Sequence, residues 1–159
     1  MRLILNINMK SQPHEVFRQY LEAQGLKLTK QRTAILDYLL RARDHATPER
    51  IFGDLRATDP ALGRATVFRT LHLLEKAGFA GKILFPDGRH GYEHKFSRPH
   101  HDHIICVDCR EVIEFSNATI ERLQDQISKS FQFTPLWHRH EIFGRCRKCA
   151  SKSVVEGVR

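Results

Sequence analysis

The chain has few of the residues that would mark it as secreted or membrane-bound. Only four cysteines occur among 159 residues, alongside one tryptophan and two methionines. All four sit in two C-x-x-C pairs, Cys106/Cys109 and Cys146/Cys149, with none left over. In an exported protein such pairs would read as disulfides. No apolar run is long enough to span a bilayer. The opening Met1-Arg2-Leu3-Ile4-Leu5-Asn6-Ile7-Asn8-Met9 is too short and too broken by asparagine for a signal-peptide core. The expectation is therefore a reducing cytoplasm with metal-bound thiolates, a redox role for the C-x-x-C pairs being the alternative. A His-Glu-x-x-His motif is missing and no acid, base or substrate pocket suggests itself, which argues against a zinc hydrolase and against a small-molecule substrate. Acidic residues are in deficit, 18 against 26 basic ones, for a formal net charge of +8. Residues 1–98 hold 17 basic and 10 acidic residues, net +7, and residues 99–159 hold 9 and 8, net +1. A basic half joined to a near-neutral half points to a polyanion on one side and a sensor on the other.

What the near-neutral half does have is metal ligands. Pro99-His100-His101-Asp102-His103-Ile104-Ile105-Cys106-Val107-Asp108-Cys109 packs three imidazoles, two carboxylates and two thiols into eleven residues. Successive side chains of a strand point to opposite faces. If this run is extended, His101 and His103 go one way and His100 and Asp102 the other, so one segment feeds two sites. Cys146-x-x-Cys149 completes a set of four thiolates, which suits a permanently held zinc ion. Nitrogen and oxygen donors suit an exchangeable iron, manganese or zinc ion.

The basic half reads as helices. Pro13 opens one with Val16, Phe17, Tyr20 and Leu21 at helical spacing, and Gly25 closes it. Thr29 caps a second, with Ile35, Leu36, Leu39 and Leu40 on one face, and Thr47-Pro48-Glu49 starts a third that buries Ile51, Phe52 and Leu55. A fourth, from about Ala65 to Ala77, places Val67, Thr70, Leu71 and Leu74 inward and Arg69, His72 and Lys76 outward. The segment from Gly81 to Tyr92, with a turn at Pro86-Asp87-Gly88, reads as a hairpin, so the half as a whole is a winged helix. In the other half, Val112 to Phe115 predicts a strand, and Ser116 or Asn117 caps a helix buried through Ile120, Leu123 and Ile127. A last strand is expected from about Leu136 to Phe143. So small a sheet with open edges should pair with another copy.

Several of these motifs together resemble the ferric uptake regulator (Fur) superfamily. They are Gly25-Leu26-Lys27-Leu28-Thr29-x-x-Arg32, Ala65-Thr66-Val67-Phe68-Arg69-x-Leu71, His100-His101-Asp102-His103 with Cys106-x-x-Cys109, Val112-Ile113-Glu114-Phe115, and Phe143-Gly144-x-Cys146-x-x-Cys149. The resemblance implies an α+β chain: an N-terminal winged helix-turn-helix and a C-terminal α/β dimerisation domain with a four-cysteine zinc site. The expected divisions are an extension at 1–12, a DNA-binding domain at 13–92, a hinge at 93–98, a metal-binding dimerisation domain at 99–150 and a tail at 151–159. It implies a homodimeric repressor that binds a palindromic operator in double-stranded DNA when metal, foremost iron(II), is bound. Zinc-, manganese- and peroxide-responsive members are the alternatives. Carried over by position, structural Zn2+ falls to Cys106, Cys109, Cys146 and Cys149. A regulatory ion, Fe2+ or in its place Mn2+ or Zn2+, falls to His45, Glu93, His101, His103 and Glu114. An additional site falls to His100, Asp102, Glu121 and His138, and DNA contact to Lys27, Arg32, Phe68 and Arg69. Phe68 stands where the family usually has tyrosine, leaving apolar contact with a base. The spacer from Glu93 to His100 is one residue longer than in the iron regulators, which makes His94 a rival ligand. Peroxide sensors tend to have aspartate where Glu114 stands.

Overall fold

The computed structural model describes residues 12–42 and 44–156; residues 1–11 of the expected extension and 157–159 of the expected tail lie outside them. The chain divides into two compact units, residues 1–98 and 99–159.

In the first unit four helices precede a hairpin: α1 (Pro13–Glu22), α2 (Lys30–Arg41), α3 (Pro48–Arg56), α4 (Arg64–Lys76), β1 (Ala80–Leu84) and β2 (His90–His94). Local chemistry sets the helix starts. Thr29 and Thr47 accept hydrogen bonds from the Arg32 and Arg50 backbone N–H groups, satisfying donors that the first turn leaves free. Gly78, at φ +79°, ends α4, and the Phe79 N–H returns to the Leu74 carbonyl at 2.8 Å. That reversal drops Phe79 into the core, where its ring lies 5.5 Å from Phe17 and stacks on Phe96 at 4.5 Å. Around it Leu21, Ile35, Leu36, Leu39, Ile51, Val67, Leu71 and Leu74 are fully buried. Truncating one such leucine costs about 2–5 kcal/mol.

The hairpin pairs Ala80 with His94 and Gly81 with Glu93. Ala46 exchanges both backbone hydrogen bonds with Tyr92, at 3.0 and 2.9 Å, so the segment before α3 lies along β2.

The second unit contains β3 (Asp102–Cys106), β4 (Val112–Phe115), α5 (Ala118–Ser130), β5 (Glu141–Gly144) and α6 (Arg147–Glu156). The sheet order is β4-β3-β5, with β3 antiparallel to β4 and parallel to β5. Asn117 is the cap of α5, its side chain accepting from Thr119 and Ile120. Three details differ from the sequence reading. The last strand begins at Glu141 rather than Leu136, because residues 136 and 137 are 87% and 69% exposed and have no sheet neighbour to alternate against. The α5 face expected to be buried is open in the single subunit, Leu123 and Ile127 being 50% and 59% exposed, since among the described residues no second layer of this unit covers it. The second C-x-x-C also runs into a helix, α6, that the pattern did not announce.

Candidate metal centres and nucleic-acid interface

Four cysteines converge. Cys106 ends β3, Cys109 lies in the turn before β4, Cys146 follows β5 and Cys149 sits in α6. The β3–β5 pairing, which sets Cys106 opposite Gly144, brings the two C-x-x-C pairs together. All four are free thiols, and their sulfurs lie within 4.8 Å of one another. Cys109 Sγ and Cys146 Sγ are 3.7 Å apart, against about 3.8 Å for two sulfurs at 2.3 Å from one tetrahedral zinc. The cluster fits zinc. The Cys106 thiol is held down to about 6, chiefly by the Cys146 N–H that donates to it at 3.3 Å. Cys149 is pushed up to about 12 by its hydrogen bond with Cys146.

A second cluster uses one face of the His100–His103 run. His100, Asp102, Glu121 and His138 each present a ligand atom within 4.8 Å of the others. The closest approaches are His100 Nε2 to Asp102 Oδ1 at 3.3 Å, His100 Nε2 to Glu121 Oε1 at 3.5 Å, and His138 Nε2 to Glu121 Oε1 at 3.4 Å. Two atoms about 2.1 Å from one ion at a tetrahedral angle stand about 3.4 Å apart. Asp102 is 1% exposed, and neither of its oxygens, nor Glu121 Oε1, nor His138 Nε2, has a hydrogen-bond partner. Buried polar atoms normally have partners, and a divalent cation would satisfy all of these at once. His140 Nδ1 is also buried and unpartnered, 3.7 Å from Asp102 Oδ2.

The other face of the run carries His101 and His103, their rings 5.1 Å apart. His103 pairs with Glu114 across β3 and β4, and His101 Nε2 is 3.7 Å from Glu114 Oε1. In the first unit His45 Nε2 stands 3.6 Å from Glu93 Oε2, both side chains about 95% buried. The Ala46–Tyr92 bridge accounts for this meeting, because in an antiparallel pair centred there residue 45 falls opposite residue 93. Two glycines make the room. A Cβ on Gly81 would overlap the Glu93 carboxylate, and one on Gly91 would press on Phe85 and on the His45 Cβ. His94 is half-buried, its Nε2 has no hydrogen-bond partner, and burial pushes its pKa down.

On α4 the core residues Val67, Thr70, Leu71 and Leu74 are buried, and Arg69, His72 and Lys76 are exposed. Phe68 is 47% exposed, more than a core phenylalanine would be. Lys27 is exposed, and its carbonyl accepts a hydrogen bond from the Arg32 guanidinium, which ties Arg32, in the first turn of α2, back to the segment before the helix. Arg56 and Arg64, which sequence reasoning did not single out, each place a guanidinium over the Phe52 ring, 5.4 and 5.2 Å from its centre. A cation held on an aromatic face gives the α3–α4 corner a pre-set positive charge. Among the described residues no helix is long and apolar enough to cross a membrane.

Residues 23–143 match the profile of the ferric uptake regulator family. A ferric uptake regulation protein of Campylobacter jejuni is 41% identical over 142 residues, covering 88% of this chain and 90% of that one. Among solved structures, the Helicobacter pylori ferric uptake regulator, described as having three functional metal binding sites, superposes with a TM-score of 0.79 at 31% identity. That match covers 87% of this chain and 95% of that one. The Francisella tularensis regulator solved with iron gives 0.72 at 35% identity, over 79% and 96% of the two chains.

Proposed function

The chain belongs to the ferric uptake regulator family and is a metal-responsive regulator rather than an enzyme, and from that premise we propose that it is an iron(II)-dependent homodimeric repressor of the cytoplasm. Residues 13–92 bind a palindromic operator, residues 93–98 act as the hinge, and residues 99–150 hold metal and the second copy. Lys27, Arg32, Phe68 and Arg69 contact DNA. Cys106, Cys109, Cys146 and Cys149 keep a structural Zn2+, while His100, Asp102, Glu121 and His138 take an additional ion. The regulatory ion, Fe2+ or in its place Mn2+ or Zn2+, is shared by His45, Glu93, His101, His103 and Glu114.

The observation that carries this reading is that each unit holds part of the regulatory donor set already gathered. His45 and Glu93 are paired on the hairpin side of the first unit, and His101, His103 and Glu114 are grouped on the sheet of the second. An ion that uses both groups ties the two units into one orientation, and only that orientation sets the two α4 helices of a dimer at the spacing of successive major grooves. Metal shifts an equilibrium only through differential affinity. A 100-fold preference for the tied form corresponds to about 2.7 kcal/mol, within the range of allosteric coupling. The exposed apolar face of α5 and the sheet residues Ile104, Ile113 and Ile142 support dimerisation through the second unit.

The test is anaerobic titration of a selected duplex with iron(II), manganese(II) and zinc(II), using zinc-filled protein. Binding should require added metal and weaken steeply with salt. His101→Ala/His103→Ala should abolish it while the dimer and its zinc persist. Metal-independent binding would refute the hinge mechanism, and each metal is compared at its own buffered free concentration, because at matched concentration the affinity order alone favours zinc over iron(II) and manganese(II).

A further inference from the structure

We infer that His140 is a fifth ligand of the site formed by His100, Asp102, Glu121 and His138, and that this pocket selects a five- or six-coordinate divalent cation such as manganese(II) or iron(II) over a tetrahedral one. The inference rests on the reading of those four residues as a metal site. The resemblance assigns four ligands there; the fifth comes from where β5 places residue 140.

Asp102 is 1% exposed and has two oxygens without hydrogen bonds, and the two face different histidines. Oδ1 lies 3.3 Å from His100 Nε2, and Oδ2 lies 3.7 Å from His140 Nδ1. The second separation is too long for a hydrogen bond. It matches the edge of a coordination shell, since two atoms about 2.1 Å from one ion are about 3.6 Å apart at an angle of 120°; His140 reaches the site through this oxygen, while the donors that all lie within 4.8 Å of one another are those of His100, Asp102, Glu121 and His138. His140 Nδ1 is itself buried and without a partner, so the ring offers a lone pair toward a carboxylate that has no donor.

The ring is also fixed in place. Because β5 runs parallel to β3 with His103 opposite Glu141, residue 140 falls beside Asp102. The His140 carbonyl accepts the His103 N–H at 3.2 Å. The imidazole also meets Phe115 edge-on, the ring centres 5.9 Å apart, and Phe115 is the residue paired with Asp102 between β3 and β4. A ring that merely oriented Asp102 would sit at hydrogen-bonding distance, and this one does not. Three imidazoles and two carboxylates, with Asp102 offering both oxygens, exceed what a tetrahedral ion accepts.

The test uses the full chain with its cysteine site filled by zinc and His101→Ala/His103→Ala added, so that cobalt(II) reports on this site alone. Bound cobalt should show the weak visible absorption of five or six coordination. His140→Leu should weaken cobalt and manganese binding about 10-fold or more and strengthen the absorption toward the tetrahedral pattern. His140→Gln, which keeps a polar head of similar size, should weaken binding likewise and carries the comparison should His140→Leu not fold. His138→Leu marks the effect of losing an accepted ligand. An unchanged midpoint and spectrum in the His140 variants would overturn the fifth ligand and leave the four-residue site standing. No cobalt binding in the parent would overturn the site and the fifth ligand together.

Discussion

Replacing Gly81 by alanine tests whether Glu93 is held where a ligand must be. Gly81 faces Glu93 across the hairpin, and an added Cβ overlaps Oε1 and lies 2.7 and 2.8 Å from Cγ and Cδ. Carbon atoms rest at about 3.5–4 Å, so the carboxylate has to retreat by about 1 Å. Gly81 is not among the positive-φ glycines, so alanine is tolerated by the backbone itself. At an open position the change would stabilise by about 0.4–1 kcal/mol through the unfolded chain. Here overpacking against a buried side chain should instead cost about 1–3 kcal/mol. The carboxylate also moves away from His45, now 3.6 Å distant, and regulatory metal affinity should fall about 10- to 100-fold. Urea unfolding of zinc-filled protein reads the first effect, and metal titration of duplex binding reads the second. The control is the same substitution in a Glu93→Ala background, where the clash is gone and Gly81→Ala should become neutral or stabilising. An equal penalty in both backgrounds would refute the reasoning, because the cost would then not pass through Glu93.

Three further outcomes follow from local chemistry. Zinc uptake by the cysteine cluster at pH 7 should release fewer than four protons, since Cys106, held down to about 6, arrives as a thiolate; the count should climb below pH 6, and indicator-dye titration that found four at pH 7 would contradict this. Burial holds the His94 pKa down, so the unfolded chain takes up this proton at higher pH than the folded one. Stability should decline as pH falls below about 6.5, and His94→Gln should remove part of that decline in urea melts at pH 7 and 5. Thr47→Ala deletes the hydroxyl that accepts from the Arg50 N–H at 3.3 Å and should lower unfolding free energy by about 1 kcal/mol.

The features legible in the sequence are those whose causes lie within a few residues. Thr29 and Thr47 cap helices because a hydroxyl reaches an N–H three positions on, and the alternation of the His100–His103 run follows from strand geometry. Periodicity also showed that α5 has an apolar face, but not what covers it, and Leu123 and Ile127 are open in one subunit. The features that were not legible depend on pairing between distant segments. His140 is brought to Asp102 by the parallel β3–β5 register, and the need for glycine at 81 and 91 comes from side chains across the hairpin. Residue spacing along the chain is silent about both.

Because neighbouring side chains of β3 and its approach serve opposite faces, two pockets share one reading frame. A one-residue insertion or deletion at the head of the strand would turn each face over and trade donors between the pockets instead of damaging one and sparing the other. Descendants of this chain can retune either pocket by substitution at a single position. Changing the length of that segment commits them to rebuilding both.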